Sequence, residues 1–139
     1  MEIIANEIQT VQANQNVYFS DTVVCGGCSI SHRDGSGLVQ IKGNTNQCRA
    51  RYKISFGCNV AIPEDGTVAP ISLAIALDGE GIQSTTMIVT PAAVDQYWNV
   101  FSAIFVDVPR GCCMSVSVKN IGTEPINIQN ANLIVERVA

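Results

Sequence analysis

Apolar and polar residues alternate along most of this 139-residue chain, and nowhere do apolar positions recur at the three-to-four spacing of an amphipathic helix. The alternation is strict from Tyr52 to Ile62. Tyr52, Ile54, Phe56, Cys58, Val60 and Ile62 share one face, while Lys53, Ser55, Gly57 and Asn59 share the other. Strand side chains point alternately to the two sides of a sheet, so this segment predicts a half-buried strand with a sharply defined register. Ile71, Leu73, Ile75 and Leu77 alternate with Ser72, Ala74, Ala76 and Asp78 in the same way. Cys112, Met114, Val116 and Val118 alternate with Cys113, Ser115, Ser117 and Lys119, which predicts Cys112 inside and Cys113 outside. Turn residues separate these runs, at Asp34-Gly35-Ser36-Gly37, Asp65-Gly66, Asp78-Gly79-Glu80-Gly81, Pro109-Arg110-Gly111 and Gly122-Thr123-Glu124-Pro125. That spacing predicts about eight to ten antiparallel strands in an all-β, jelly-roll two-sheet sandwich, with residues 1–139 forming one domain.

One predicted strand departs from the half-buried pattern. Between Tyr97 and Val108, one face carries Trp98, Val100, Ile104, Val106 and Val108, and the other carries Tyr97, Phe101 and Phe105. A sandwich strand needs only one apolar face for its own core. Three exposed aromatic side chains would leave about 450–600 Å² uncovered. At about 25 cal/mol per Å² this is on the order of 10 kcal/mol of unused burial, as an upper bound. Tyr97, Phe101 and Phe105 are therefore candidate oligomer-interface residues, because a closed symmetric oligomer buries identical patches against one another. A terminal segment or long loop of the same chain folded over them is the alternative.

Composition agrees with a covered surface. Charged residues make up 14% of the chain and apolar residues 47%, where an ordinary soluble domain has about 25% charged. The net charge of −4 argues against a nucleic-acid partner or an anionic membrane surface. No apolar run reaches the length of a membrane span, and residues 1–7 lack the basic start and apolar stretch of a secretory signal. Without that signal, the six cysteines do not read as a disulfide framework.

The chemistry-bearing residues are few. Cys25-Gly26-Gly27-Cys28 has redox spacing but lacks the strand–helix setting that activates such a pair. Cys48 and Cys58 would have to complete a zinc site with it, yet Cys58 shares the core face of its strand, so no metal is expected. A disulfide from Cys25 to Cys48 stays open if the protein meets an oxidising medium. His32-Arg33-Asp34 resembles a kinase catalytic triplet without the other kinase parts. As the single histidine, beside a glycine-rich turn, His32 is more simply a solvated or loop-bracing side chain. Arg49, Arg51 and Lys53 form a basic stripe on one strand face, best read as cross-strand partners of acidic residues. No catalytic residues and no cofactor are expected.

The order of segments resembles the tumour-necrosis-factor-like and complement globular-head domains. Arg51 to Phe56 followed by Ile71 to Glu80 is similar to the central strands of that family. Val106 to Cys113 leading into Met114–Val118 resembles its hairpin into the penultimate strand, and Ala131 to Val138 its last strand. Asn46 to Tyr52, Met87 to Val94 and Asn132 to Val138 are further similar to short proteins encoded by phages and prophages of gut Firmicutes. The resemblance implies a homotrimeric, non-enzymatic jelly roll on a virion surface after cytoplasmic assembly. Its form would be a capsid decoration or head-fibre protein that contacts itself and the major capsid protein. The alternative is an adhesive or receptor-binding module on a bacterial cell surface, recognising a glycan or a protein.

Overall fold

The computed structural model describes residues 1–139. Twelve strand segments follow one another, beginning with β1 (Glu2–Ala5), β2 (Gln9–Val11), β3 (Asp21–Val24), β4 (Ile30–His32), β5 (Val39–Lys42) and β6 (Arg49–Ala61). They continue with β7 (Ile71–Leu77), β8 (Glu80–Gly81), β9 (Met87–Val89), β10 (Trp98–Pro109), β11 (Cys113–Asn120) and β12 (Ile126–Arg137). A single 3₁₀ turn, Gln83–Thr85, interrupts them. Eight strands have four or more residues, and the other four are pieces of two or three.

The strands form two antiparallel sheets. One has the order β10-β6-β12-β1-β3, with β2 beside β12; the other has the order β4-β5-β11-β7-β8, with β9 beside β7. Connections β5 to β6, β6 to β7, β10 to β11 and β11 to β12 each cross between sheets, so the chain wraps a jelly roll instead of a meander. The expected all-β two-sheet architecture is the one observed. Asp78 and Gly79 both have positive φ, 51° and 87°, the backbone a two-residue hairpin requires between Leu77 and Glu80.

The core is a cluster of 29 buried residues between the sheets, including Phe19, Tyr52, Phe56, Leu73 and Leu133. The predicted inner row of β6 holds throughout, with Tyr52, Ile54, Phe56, Cys58 and Val60 all buried. Phe19 and Phe56 meet edge to face with ring centroids 6.2 Å apart. Tyr52 is the largest fully buried side chain, and its phenol donates to the Lys42 carbonyl, which satisfies the polar end of an apolar ring. Along β12 the inward residues are Ile126 and Ile128, then Ala131, Leu133 and Val135. Parity changes because the pairing with β6 shifts between Gln129 and Asn132, where Asn130 adopts a φ of 54°. This bulge inserts one residue and restores the apolar face to the core.

Three expectations need correction. Alternation puts Trp98 in the inner row of its strand, but it is the first residue of an edge strand, flanked only by β6, and it stays exposed. The same alternation puts Cys112 inside with Met114. Instead it closes the turn from Pro109, its N–H donating to the Pro109 carbonyl at 3.0 Å, with Gly111 at φ 78°, and the strand begins one residue later. Cys112 is consequently exposed, as is Cys113. Ala74 and Ala76, expected on an open face of β7, are both buried. β8 pairs beside β7, and a Cβ at Gly81 would lie 3.3 Å from Ile121 Cγ2 and 3.6 Å from the Ala74 Cβ, so the 121 segment crowds that face.

Candidate interaction surface

β10 and β6 pair without interruption from Trp98 opposite Val60 to Pro109 opposite Arg49. Paired residues share a face, which sorts every side chain of this ribbon. Val100, Ile104, Val106 and Val108 follow the buried partners Cys58, Ile54, Tyr52 and Ala50 inward. Asn99, Phe101, Ala103, Phe105 and Asp107 point outward with Asn59, Gly57, Ser55, Lys53 and Arg51. The outer face continues across β12 through Asn132 and Ile134, which pair with Gly57 and Ser55.

Two of the expected outward aromatics are on this side and open to solvent, Phe101 at 65% and Phe105 at 61%, and Tyr97, one residue before β10, is 37% exposed. With about 150–250 Å² per aromatic side chain, the three expose roughly 300 Å². That is within the range of the largest apolar patch on a typical monomer, where such patches are often functional. Phe101 pairs with Gly57, and its ring lies against that residue, since a Cβ built there would be 3.5 Å from it. Ser55 and Ala103 form the next row, so small residues surround the ring.

Charge borders the patch at one end. Arg51 donates from Nε and Nη2 to the two Asp107 carboxylate oxygens, at 2.8 and 3.2 Å, and Arg49 Nε lies 3.1 Å from Asp107 Oδ2. The hydrogen bond from Arg51 holds the Asp107 carboxyl below its ordinary range. The Arg51 guanidinium is correspondingly held more firmly in its charged form. The basic stripe of Arg49, Arg51 and Lys53 is thus tied to an acidic cross-strand neighbour at two of its three members.

The remaining chemistry-bearing residues lie elsewhere. The His32 side chain is fully buried, edge-on to Phe19. Its Nε2 is 3.0 Å from the Ser36 carbonyl and its Nδ1 is 3.2 Å from Thr22 Oγ1. Nε2 thus braces the 33–36 turn, while Nδ1 ties His32 to β3. Cys58 is buried in the core, and burial pushes its thiol up to about 12. Cys25 and Cys48 are exposed free thiols, as are Cys28, Cys112 and Cys113.

A polar cleft, not signalled by any sequence motif, opens at the far end of β6. It has a volume of about 530 Å³ and is lined by Thr10, Glu64, Asp65, Asn120, Glu124 and Asn127 among others, with no lysine, arginine or histidine. Thr10 Oγ1 donates to Asn127 Oδ1 at 2.8 Å across β2 and β12. Buried Asn120 holds the rim by donating to the carbonyls of Val11 and Glu124. The residues come from four separate loops and strand ends, so only the folded chain unites them.

No protein-family model matches the chain, and no curated protein matches it. Solved structures do. The globular domain of zebrafish complement 1qA is 11% identical, with a TM-score of 0.61 over 96% of this chain and 93% of that one. The Eiger TNF structure from S. frugiperda is 12% identical, with a TM-score of 0.68 over 100% of this chain and 92% of that one. Murine APRIL is 12% identical, with a TM-score of 0.60 over 97% of this chain and 95% of that one. At such identities the likeness concerns the fold, which is the tumour-necrosis-factor and complement-head type of jelly roll.

Proposed function

We propose that this protein is a non-enzymatic structural component that acts by assembling as a homotrimer and presenting a surface. Its setting on this reading is a virion of the phage and prophage type, as a capsid decoration or head-fibre protein. The observation that carries the reading is the outer face of the β10–β6 ribbon, where Phe101 and Phe105 stand exposed among the small residues Ser55, Gly57 and Ala103. A threefold ring closes through contacts between two different patches on neighbouring protomers, and the protruding rings of β10 and the row of small residues Ser55, Gly57 and Ala103 are two such patches. The three aromatics supply less than half of the about 800 Å² per partner that a stable interface buries. The neighbouring polar residues Ser55, Asn59, Gln129 and Asn132 would supply the rest, which fits the chain's low charge content. The resemblance of the strand order to a trimeric family supports threefold assembly, while the phage setting rests on the segments 46–52, 87–94 and 132–138 alone.

Light scattering on the purified chain at micromolar concentration tests this, with the mass of three chains as the expected result. Phe101→Lys is expected to leave the β-sheet circular dichroism unchanged and reduce the mass to that of one chain. A monodisperse wild-type monomer overturns the reading. It would favour the alternative of a glycan- or protein-binding surface module, for which the polar cleft is the specific supporting feature.

A further inference from the structure

The five exposed cysteines, separated by up to 88 positions in the chain, lie on three loops at one end of the sandwich. Cys25 and Cys28 occupy the β3–β4 loop, Cys48 ends the β5–β6 loop, Cys112 closes the β10–β11 turn and Cys113 opens β11. Hydrogen bonds join the loops into one unit. Lys42 N–H donates to the Ser29 carbonyl at 2.9 Å, Gly43 N–H to the Cys112 carbonyl at 2.8 Å, and Arg110 N–H to the Cys48 carbonyl at 3.0 Å. Arg137 donates to Ser29 Oγ and the Asn44 carbonyl, each at 2.8 Å. Gly43 sits so close to the turn that a Cβ there would collide with the Pro109 carbonyl.

Two further features give this pole a chemical direction. Its side chains include Lys42, Arg49, Arg51, Arg110 and Arg137 against Glu2, Asp107 and Glu136, so it is cationic within a chain of net charge −4. Its thiols are also odd in number. The sixth, Cys58, is sealed in the core. Pairing among five thiols forms at most two disulfides and leaves one sulfur for an external partner.

We propose that this cationic pole is a thiol–disulfide exchange site for an anionic low-molecular-weight disulfide of the glutathione type. A pole thiol, as thiolate, attacks one sulfur of the small disulfide. A mixed disulfide forms and one small thiolate leaves, taking up the proton that the attacking thiol released. A second pole thiol displaces the remaining small thiolate where geometry allows, so two protein thiols are oxidised and one small disulfide is reduced to two thiols. The unpaired fifth thiol keeps its adduct. The positive field raises the local concentration of an anionic reactant and repels the same pole of a second copy, which favours the small reactant over end-to-end cross-linking.

The test is incubation of the full chain with oxidised glutathione, or with cationic cystamine, followed by intact-mass and peptide mass spectrometry. At least one retained glutathione per chain is expected, with adducts confined to Cys25, Cys28, Cys48, Cys112 and Cys113 and none on Cys58. The rate with oxidised glutathione should fall about threefold or more between low salt and 0.5 M salt as the charges are screened, while that with cystamine should rise. Arg110→Glu, with its fold verified by circular dichroism, should reduce the salt effect for glutathione. Rates that ignore salt, a product without adduct, modification of Cys58 in the folded chain, or covalent dimers as the main product would overturn the proposal.

Discussion

β6 and β10 run side by side over twelve paired positions, yet their outer faces differ sharply in character. Both bury an apolar row against the opposite sheet. Outward, β6 presents Arg51, Lys53, Ser55, Gly57 and Asn59, whereas β10 presents Asp107, Phe105, Ala103, Phe101 and Asn99. The inner rows answer to the protein's own core, so both strands must satisfy the same packing demand. The outer rows answer to whatever lies beyond the sheet. A strand that spends large aromatic side chains on that side points to a partner, and a strand with glycine and serine there leaves room for one.

Substitutions can break this contrast, beginning with the inner rows. Phe56→Ala, at the centre of the β6 inner row and in contact with Phe19, should cost about 3–5 kcal/mol of folding free energy in urea denaturation. A cost below about 1 kcal/mol would mean that the two sheets do not pack as described. Phe101→Lys on the outer row should change stability by no more than about 0.5 kcal/mol once dissociated chains are compared, although it abolishes assembly. Gly57→Ala sharpens the comparison. Its backbone is ordinary strand and the new Cβ only touches the Phe101 ring, so in the Phe101→Lys background it should stabilise the chain by about 0.5–1 kcal/mol. In the wild-type background the same methyl group presses on the Phe101 ring and should weaken the trimer, seen as a shift of the dissociation midpoint to higher concentration.

The smallest effect belongs to the charged end of the ribbon. Because Arg51 holds the Asp107 carboxyl below its ordinary range, the folded state favours the carboxylate. The resulting stabilisation is present at neutral pH, above the unfolded value, and is lost as pH falls through the depressed folded value. Melting temperatures of Asp107→Asn should accordingly lie slightly below wild type near neutrality and converge with it in strong acid. Exposed pairs contribute little, so a large gap would mean that the Arg49–Asp107–Arg51 cluster is better shielded than its position implies.

Much of this was legible in the residue order. The period-two rows of Tyr52–Ile62, Ile71–Leu77 and Tyr97–Val108 set which residues face the core, because alternation is a property of the extended backbone itself. The same logic placed Cys58 inside and put Phe101 and Phe105 outside. Errors arose where neighbours mattered more than parity. Trp98 lost its cover as the first residue of an edge strand, Cys112 fell into a turn, and Ala74 and Ala76 are buried by neighbouring segments.

The two ends of the sandwich show the limit most clearly. Strand β6 alone separates them by about 40 Å, at about 3.3 Å per residue. One end holds an acidic cleft drawn from residues 10 to 127, and the other gathers five thiols and most of the basic side chains. Neither grouping has a local spacing that announces it, since both depend on which loops the sheet crossovers bring to the same end. Strand positions and the sidedness of their residues can be read along the chain, because they follow from short-range alternation and turn chemistry. Which distant loops share a pole cannot, because strand order is set by packing between residues far apart in the chain.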